Sequence, residues 1–77
     1  SVTVLYFASL RDAAGRDSES LPVPASLDAL YAALRERHGF ALPAEKLRVA
    51  VDGAFAPWSA PVADGCEIAF IPPVSGG

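Results

Sequence analysis

Cysteine, histidine and tryptophan each occur once in this 77-residue sequence, and these shortages exclude several chemistries. A lone cysteine, Cys66, forms no internal disulfide, so a reducing compartment is the natural reading. One histidine and one cysteine are too few for a metal site, which needs several convergent ligands. Only six Lys and Arg stand against nine Asp and Glu, a net charge of −3. Nucleic acid calls for clustered cations, so that class of partner is excluded, whereas a basic protein partner is compatible. No apolar run approaches the length of a membrane span. With no signal peptide ahead of the first strand, the expected compartment is the cytoplasm. Neither a P-loop nor a G-x-G-x-x-G motif is present, so no nucleotide cradle is expected.

What is present is apolar. The composition is 52% hydrophobic and 19% charged, which supports a packed core rather than disorder. The length suits one small domain over 1–77, with a net stability of about 4–12 kcal/mol. Ser1 to Ala8 is rich in β-branched and aromatic residues and reads as a central strand covered at least in part on both sides. Val2, Val4 and Tyr6 share one face of it, and Thr3, Leu5 and Phe7 the other. Ser9 to Gly15 suits one short helical turn closed by the glycine, and Asp17 to Val23 an edge strand limited by Pro22.

The clearest local signal is a helix between Ser26 and Gly39. Ser26 is a good N-cap, Asp28 opposes the helix dipole, and Gly39 suits the C-terminal cap. Leu27, Leu30, Tyr31 and Leu34 form one buried stripe, while Arg35 to His38 supply a polar, solvated end. Phe40 to Glu45, with Pro43, reads as a connector. Leu47 to Asp52 is a strand, Asp52-Gly53 a hairpin turn, and Ala54 to Ala56 its short return. Trp58 is expected to cover the core as a lid. After a second turn at Asp64-Gly65, Cys66 to Ile71 forms the last strand with Ile68 and Phe70 inward. Cys66 reads as a small packing residue. A single helix crossing one face of a mixed sheet, with the last strand parallel to the first, is an α+β architecture of the β-grasp, or ubiquitin-like, type.

No side-chain constellation in this order amounts to a catalyst, which turns attention to the end Phe70-Ile71-Pro72-Pro73-Val74-Ser75-Gly76-Gly77. Two prolines cannot continue a β-ladder, because neither carries an amide proton. They favour a stiff, extended segment, and the six residues after Ile71 reach about 20 Å at most. A Gly-Gly pair fits a slot too narrow for other dipeptides and leaves the α-carboxylate of Gly77 as the reactive group. From the residues alone this end reads either as a frayed terminus or as an arm built for use.

The ending PPVSGG, preceded by DGCEIAFI, resembles the molybdopterin synthase small-subunit family of ubiquitin-like sulfur carriers. The opening VLYFASLRDAAG is similar to that family's first strand and turn, and the helix and VAVDGAF fall in the expected places. The resemblance covers essentially the whole chain. It implies that the Gly77 carboxylate is adenylated by an ATP-using activating enzyme and becomes a thiocarboxylate. Its sulfur then passes, in a large subunit's active site, to a cyclic pyranopterin precursor of the molybdenum cofactor. It also implies an inserting arm of Pro72, Pro73, Val74, Ser75 and Gly76. This chain itself would bind no cofactor. Cys66 is a departure, since an acidic residue is more usual after the Asp-Gly turn.

Strand alternation adds an expected docking face. If Val2, Val4 and Tyr6 face the helix, then Leu5, Phe7, Phe55 and Ile71 lie on the opposite face of the sheet. They are either scattered surface apolars or a contiguous patch suited to the large subunit. Rival functions with the same ending are a sulfur carrier for thiazole synthesis or tRNA thiolation, and a ubiquitin-like modifier that forms isopeptide bonds. A plain binding module with an inert tail is the remaining alternative.

Overall fold

Five strands form one sheet in the order β2-β1-β5-β3-β4 in the computed structural model, which describes residues 1–73. The strands are β1 (Val2–Tyr6), β2 (Ser18–Leu21), β3 (Arg48–Val51), β4 (Ala54–Ala56) and β5 (Glu67–Ile71). The helices are α1 (Ala8–Ala14) and α2 (Leu27–His38), with a 3-10 turn at Ala44–Lys46. β1 pairs antiparallel with β2 and parallel with β5, and β3 lies antiparallel to both β5 and β4. This is the β-grasp arrangement expected from the order of elements.

Local chemistry accounts for the boundaries. The Ser26 hydroxyl accepts from the Ala29 amide at 3.0 Å, and Gly39 closes α2 in the left-handed region at φ 72. The β3–β4 turn places both Asp52 (φ 51) and Gly53 (φ 85) at positive φ, as a two-residue turn matched to strand twist requires. The Asp52 carboxylate then accepts from the Glu67 amide at 2.9 Å, pinning that turn to β5. β2 is an edge strand, as Pro22 suggests.

The core lies between α2 and the inner face of the sheet. Val2, Val4, Tyr6, Leu27, Leu30, Tyr31, Leu34, Val49, Ile68 and Phe70 are all buried in it, joined by Leu10 of α1. Cys66 is buried as packing. Trp58 covers this core as expected, stacked on Phe70 at 5.7 Å and edge-on to Tyr31 at 6.0 Å.

Three expectations change. β1 is central, but its outward side is open: Thr3 is exposed and Leu5 half-buried, because both helices contribute to the core on the other side. The segment 40–45 is more than a connector, since Phe40 is 4% exposed and stacks on Tyr31 at 5.9 Å. His38 is not a solvated helix end. Its side chain is only 13% exposed and lies against Tyr6 and Phe40, because α2 ends over the β1–β2 pair.

Candidate functional site

Register turns the expected outer face into a defined groove. One row of paired residues crosses four strands on that face: Leu5 of β1 opposite Ala69 of β5, Ala69 opposite Ala50 of β3, and Ala50 opposite Phe55 of β4. The two alanines, each under a tenth exposed, make the floor, and larger side chains stand on either side. Leu5, Phe7, Phe55 and Ile71 all line this groove of about 240 Å³. Phe7 is 45% and Phe55 67% exposed, which in water is unfavourable for aromatic side chains unless another surface covers them.

Phe7 owes its position to the backbone. It precedes Ala8, whose φ of 50 lies in the left-handed region that costs a non-glycine residue about 1–2 kcal/mol. The chain leaves β1 at that point and enters α1 with Phe7 as its N-cap. The strain therefore sits immediately beside the most exposed aromatic of β1's end, a common placement for functional positions.

β5 leaves the sheet beside this groove. Ile71 is its last residue and is half-buried, with Arg48 of β3 as its Cα partner. Pro72 and Pro73 follow outside any strand, with Pro73 exposed. Val74, Ser75, Gly76 and Gly77, which the sequence singles out as the rest of the arm and its reactive end, lie outside the described residues.

A second cluster escaped the sequence. Glu19 of β2, only 6% exposed, is the one charged side chain buried among the described residues. Its carboxylate accepts from the Tyr6 hydroxyl at 2.8 Å and from His38 Nε2 at 3.2 Å, with Arg37 at 3.0 Å and Arg16 at 3.7 Å. Burial alone pushes the Glu19 carboxyl upward. The hydrogen bonds from Tyr6 and His38 and the charges of Arg37 and Arg16 outweigh it and hold the group below its usual range. Burial, then the bond to Glu19, pushes the Tyr6 phenol well above its ordinary value. This network ties β1, β2 and the end of α2 together and contains no nucleophile. Its role is structural. Among the described residues no group of three or more His, Cys, Asp or Glu is placed to hold a metal ion. No described helix is long and apolar enough to cross a membrane.

Sequence reading names Leu5, Phe7, Phe55 and Ile71 but misses the alanine floor and Arg48. Alanines carry no pattern by themselves. Only the strand register shows that Ala50 and Ala69 are neighbours.

Residues 4–77 match the ThiS family. The chain is 36% identical over 80 residues to the molybdopterin synthase sulfur carrier subunit of Escherichia coli (strain K12), covering 99% of each. Among solved structures it resembles the protein-protein complex of subunits 1 and 2 of molybdopterin-converting factor from Helicobacter pylori 26695. That likeness has a TM-score of 0.69 and 25% identity over 99% of this chain and 97% of the other. It is also similar to the small archaeal modifier protein 1 of Methanosarcina acetivorans, with a TM-score of 0.73 and 25% identity over 99% and 95% of the two chains.

Proposed function

The chain belongs to the ThiS family, and from that membership we propose that it is the sulfur carrier subunit of a molybdopterin synthase. The observation that carries this reading is the apolar groove of Leu5, Phe7, Phe55 and Ile71 beside the exit of β5. A groove of this kind docks a partner, while the segment after it delivers the chemistry. The match to the Escherichia coli carrier, which spans both chains almost end to end, supports this branch over carriers for thiazole synthesis or tRNA thiolation.

In this reading the body of the domain is a handle. Leu5, Phe7, Phe55 and Ile71 bind the large subunit, and Pro72, Pro73, Val74, Ser75 and Gly76 form the arm that enters it. Gly77 carries the reacting group. An ATP-dependent adenylating enzyme activates its carboxylate as the acyl-adenylate, since a free carboxylate is a poor acyl donor. A sulfur nucleophile at the sulfide oxidation level then displaces AMP to give the thiocarboxylate, which donates that sulfur to the cyclic pyranopterin precursor while water returns Gly77 to the carboxylate. This chain supplies no cofactor of its own, and the cytoplasm is the fitting compartment for a carrier with one buried, free cysteine.

Reconstitution tests the reading. The chain with a synthetic Gly77 thiocarboxylate, combined with the large subunit and the precursor, is expected to form the dithiolene; absence of product overturns it. The likeness to the archaeal modifier favours one second reading, a protein modifier joined through Gly77 to lysines. Mass spectrometry of the chain purified from its own cells separates the two. A carrier shows sulfur in place of one oxygen at Gly77, and a modifier shows covalent conjugates.

A further inference from the structure

Beside the groove stands a cation, Arg48, that pairs with no carboxylate among the described residues. Of the six Lys and Arg, four are engaged within the domain. Arg11 pairs with Asp17 at 3.8 Å, Arg16 and Arg37 reach Glu19, and Arg35 donates to the Phe40 carbonyl at 3.1 Å. Among the described residues, the side chains of Lys46 and Arg48 have no such partner. Both are exposed and lie two positions apart, leading into β3.

Arg48 is placed by two contacts. It is the Cα partner of Ile71, so it lies across the ladder from the last residue before Pro72. Its guanidinium carbon lies 5.7 Å from the centroid of the Phe55 ring, within the range of a cation–π stack. The stack limits the rotamers of a side chain that would otherwise lose much entropy on binding, so the charge is held ready at the groove's rim. Burying Phe55 under a partner would bring the guanidinium into a drier setting, where an unopposed charge is costly and a paired one contributes strongly.

We propose that Arg48 is a specificity-determining contact whose stacked guanidinium pairs with a carboxylate on the protein that receives the C-terminal segment. The inference rests on the docking reading above and adds the chemistry of the partner: an apolar patch with an acidic side chain at its edge. Sequence separation favours a protein carboxylate over a phosphate of the activated or transferred group. Arg48 pairs with Ile71 at the root of the arm, whereas Gly77 follows six residues later in the sequence, a span of about 20 Å when fully extended. Arg48 therefore recognises the mouth of the receiving site and takes no part in the chemistry. The net charge of −3 suits a basic partner over the domain as a whole, but the Arg48 charge at the groove's edge disfavours a basic side chain at that point.

The test measures binding of the full chain to purified molybdopterin synthase large subunit at low and high salt. Melting curves establish that each variant is folded. Arg48→Gln is expected to weaken binding about tenfold at low salt and to flatten its salt dependence. Arg48→Glu is expected to weaken it about a hundredfold. Arg48→Lys, which keeps the charge but not the planar stack, falls between wild type and Arg48→Gln. Wild-type affinity and wild-type salt dependence in Arg48→Gln would overturn the assignment while leaving the docking reading intact. If Arg48 only shields Phe55, the variants shift the melting temperature and leave affinity unchanged, which also overturns it. Failure of the wild-type chain to bind at all removes the docking reading and this inference with it.

Discussion

The Tyr6 hydroxyl donates to Glu19 Oε1 at 2.8 Å inside the core, joining the last residue of β1 to the middle of β2. Around that bond the cationic and imidazole ends of Arg37 and His38 bring α2 onto the same carboxylate. A buried carboxylate with several donors is stabilising only while it stays ionised and all its partners remain in place.

Acid should therefore loosen the fold through Glu19. Its carboxyl is held below the usual 4.5 in the folded state, so the unfolded chain takes up the proton first as pH falls. The stability contributed by Glu19 is full above about pH 4.5 and is lost as pH falls through the lowered folded value. Glu19→Gln is expected to cost about 1–3 kcal/mol at pH 7 and to flatten the acid side of the stability curve. Urea unfolding of both proteins between pH 7 and pH 3 checks this. Parallel pH profiles would remove Glu19 as the source.

The docking face gives a sharper test. Phe7→Asp and Ile71→Asp each place a charge on the groove's wall without touching the buried core, so both proteins should fold. Each is expected to weaken binding to the large subunit by at least about thirtyfold, the scale of an interface hot spot. Titration calorimetry measures it, and unchanged binding by both variants would sink the assignment of this face.

How far these features can be read from the chain depends on how local they are. The Ser26 cap, the stripe from Leu27 to Leu34 and Gly39 lie within one helix, and their spacing alone predicts α2. The Asp52-Gly53 turn is equally local, and alternation along β1 and β5 assigns the inner and outer faces. Glu19 is different. In the polar stretch DSESLPV it resembles an ordinary solvated strand residue, and its partners lie 13 and 19 positions away. His38 is misread for the same reason: helix periodicity indicates the end of α2 but not what that end lies against. Arg48 and the alanine floor emerge only from pairing across strands, which no single stretch encodes.

That floor carries its own prediction. Ala69 stands between Leu5 and Ala50 in the cross-strand row, so a larger side chain there points into the groove rather than into the core. Ala69→Leu is expected to fill it, and because the added carbons extend into the open groove rather than the core, the protein should stay folded at a cost of about 1 kcal/mol. Binding to the large subunit should nevertheless fall at least tenfold, on the order of 1.4 kcal/mol, because the partner's apolar anchor is displaced. A loss of affinity in the folded variant would locate the anchor over β5. Retained affinity would move it towards Phe55 and the β4 edge.

Removing Gly76 and Gly77 separates the handle from the chemistry. Every described core residue and the whole groove lie before Pro72, so the shortened chain should keep its melting temperature. It should also still bind the large subunit, with some weakening where the arm itself made contact. What it should lose is transfer: no acyl-adenylate forms with the activating enzyme and ATP, and no dithiolene forms with the large subunit and the precursor. Restoring the two glycines restores both. An activity that survives their removal would mean that the reacting group lies elsewhere in the chain, and the buried Cys66 would become the first residue to examine.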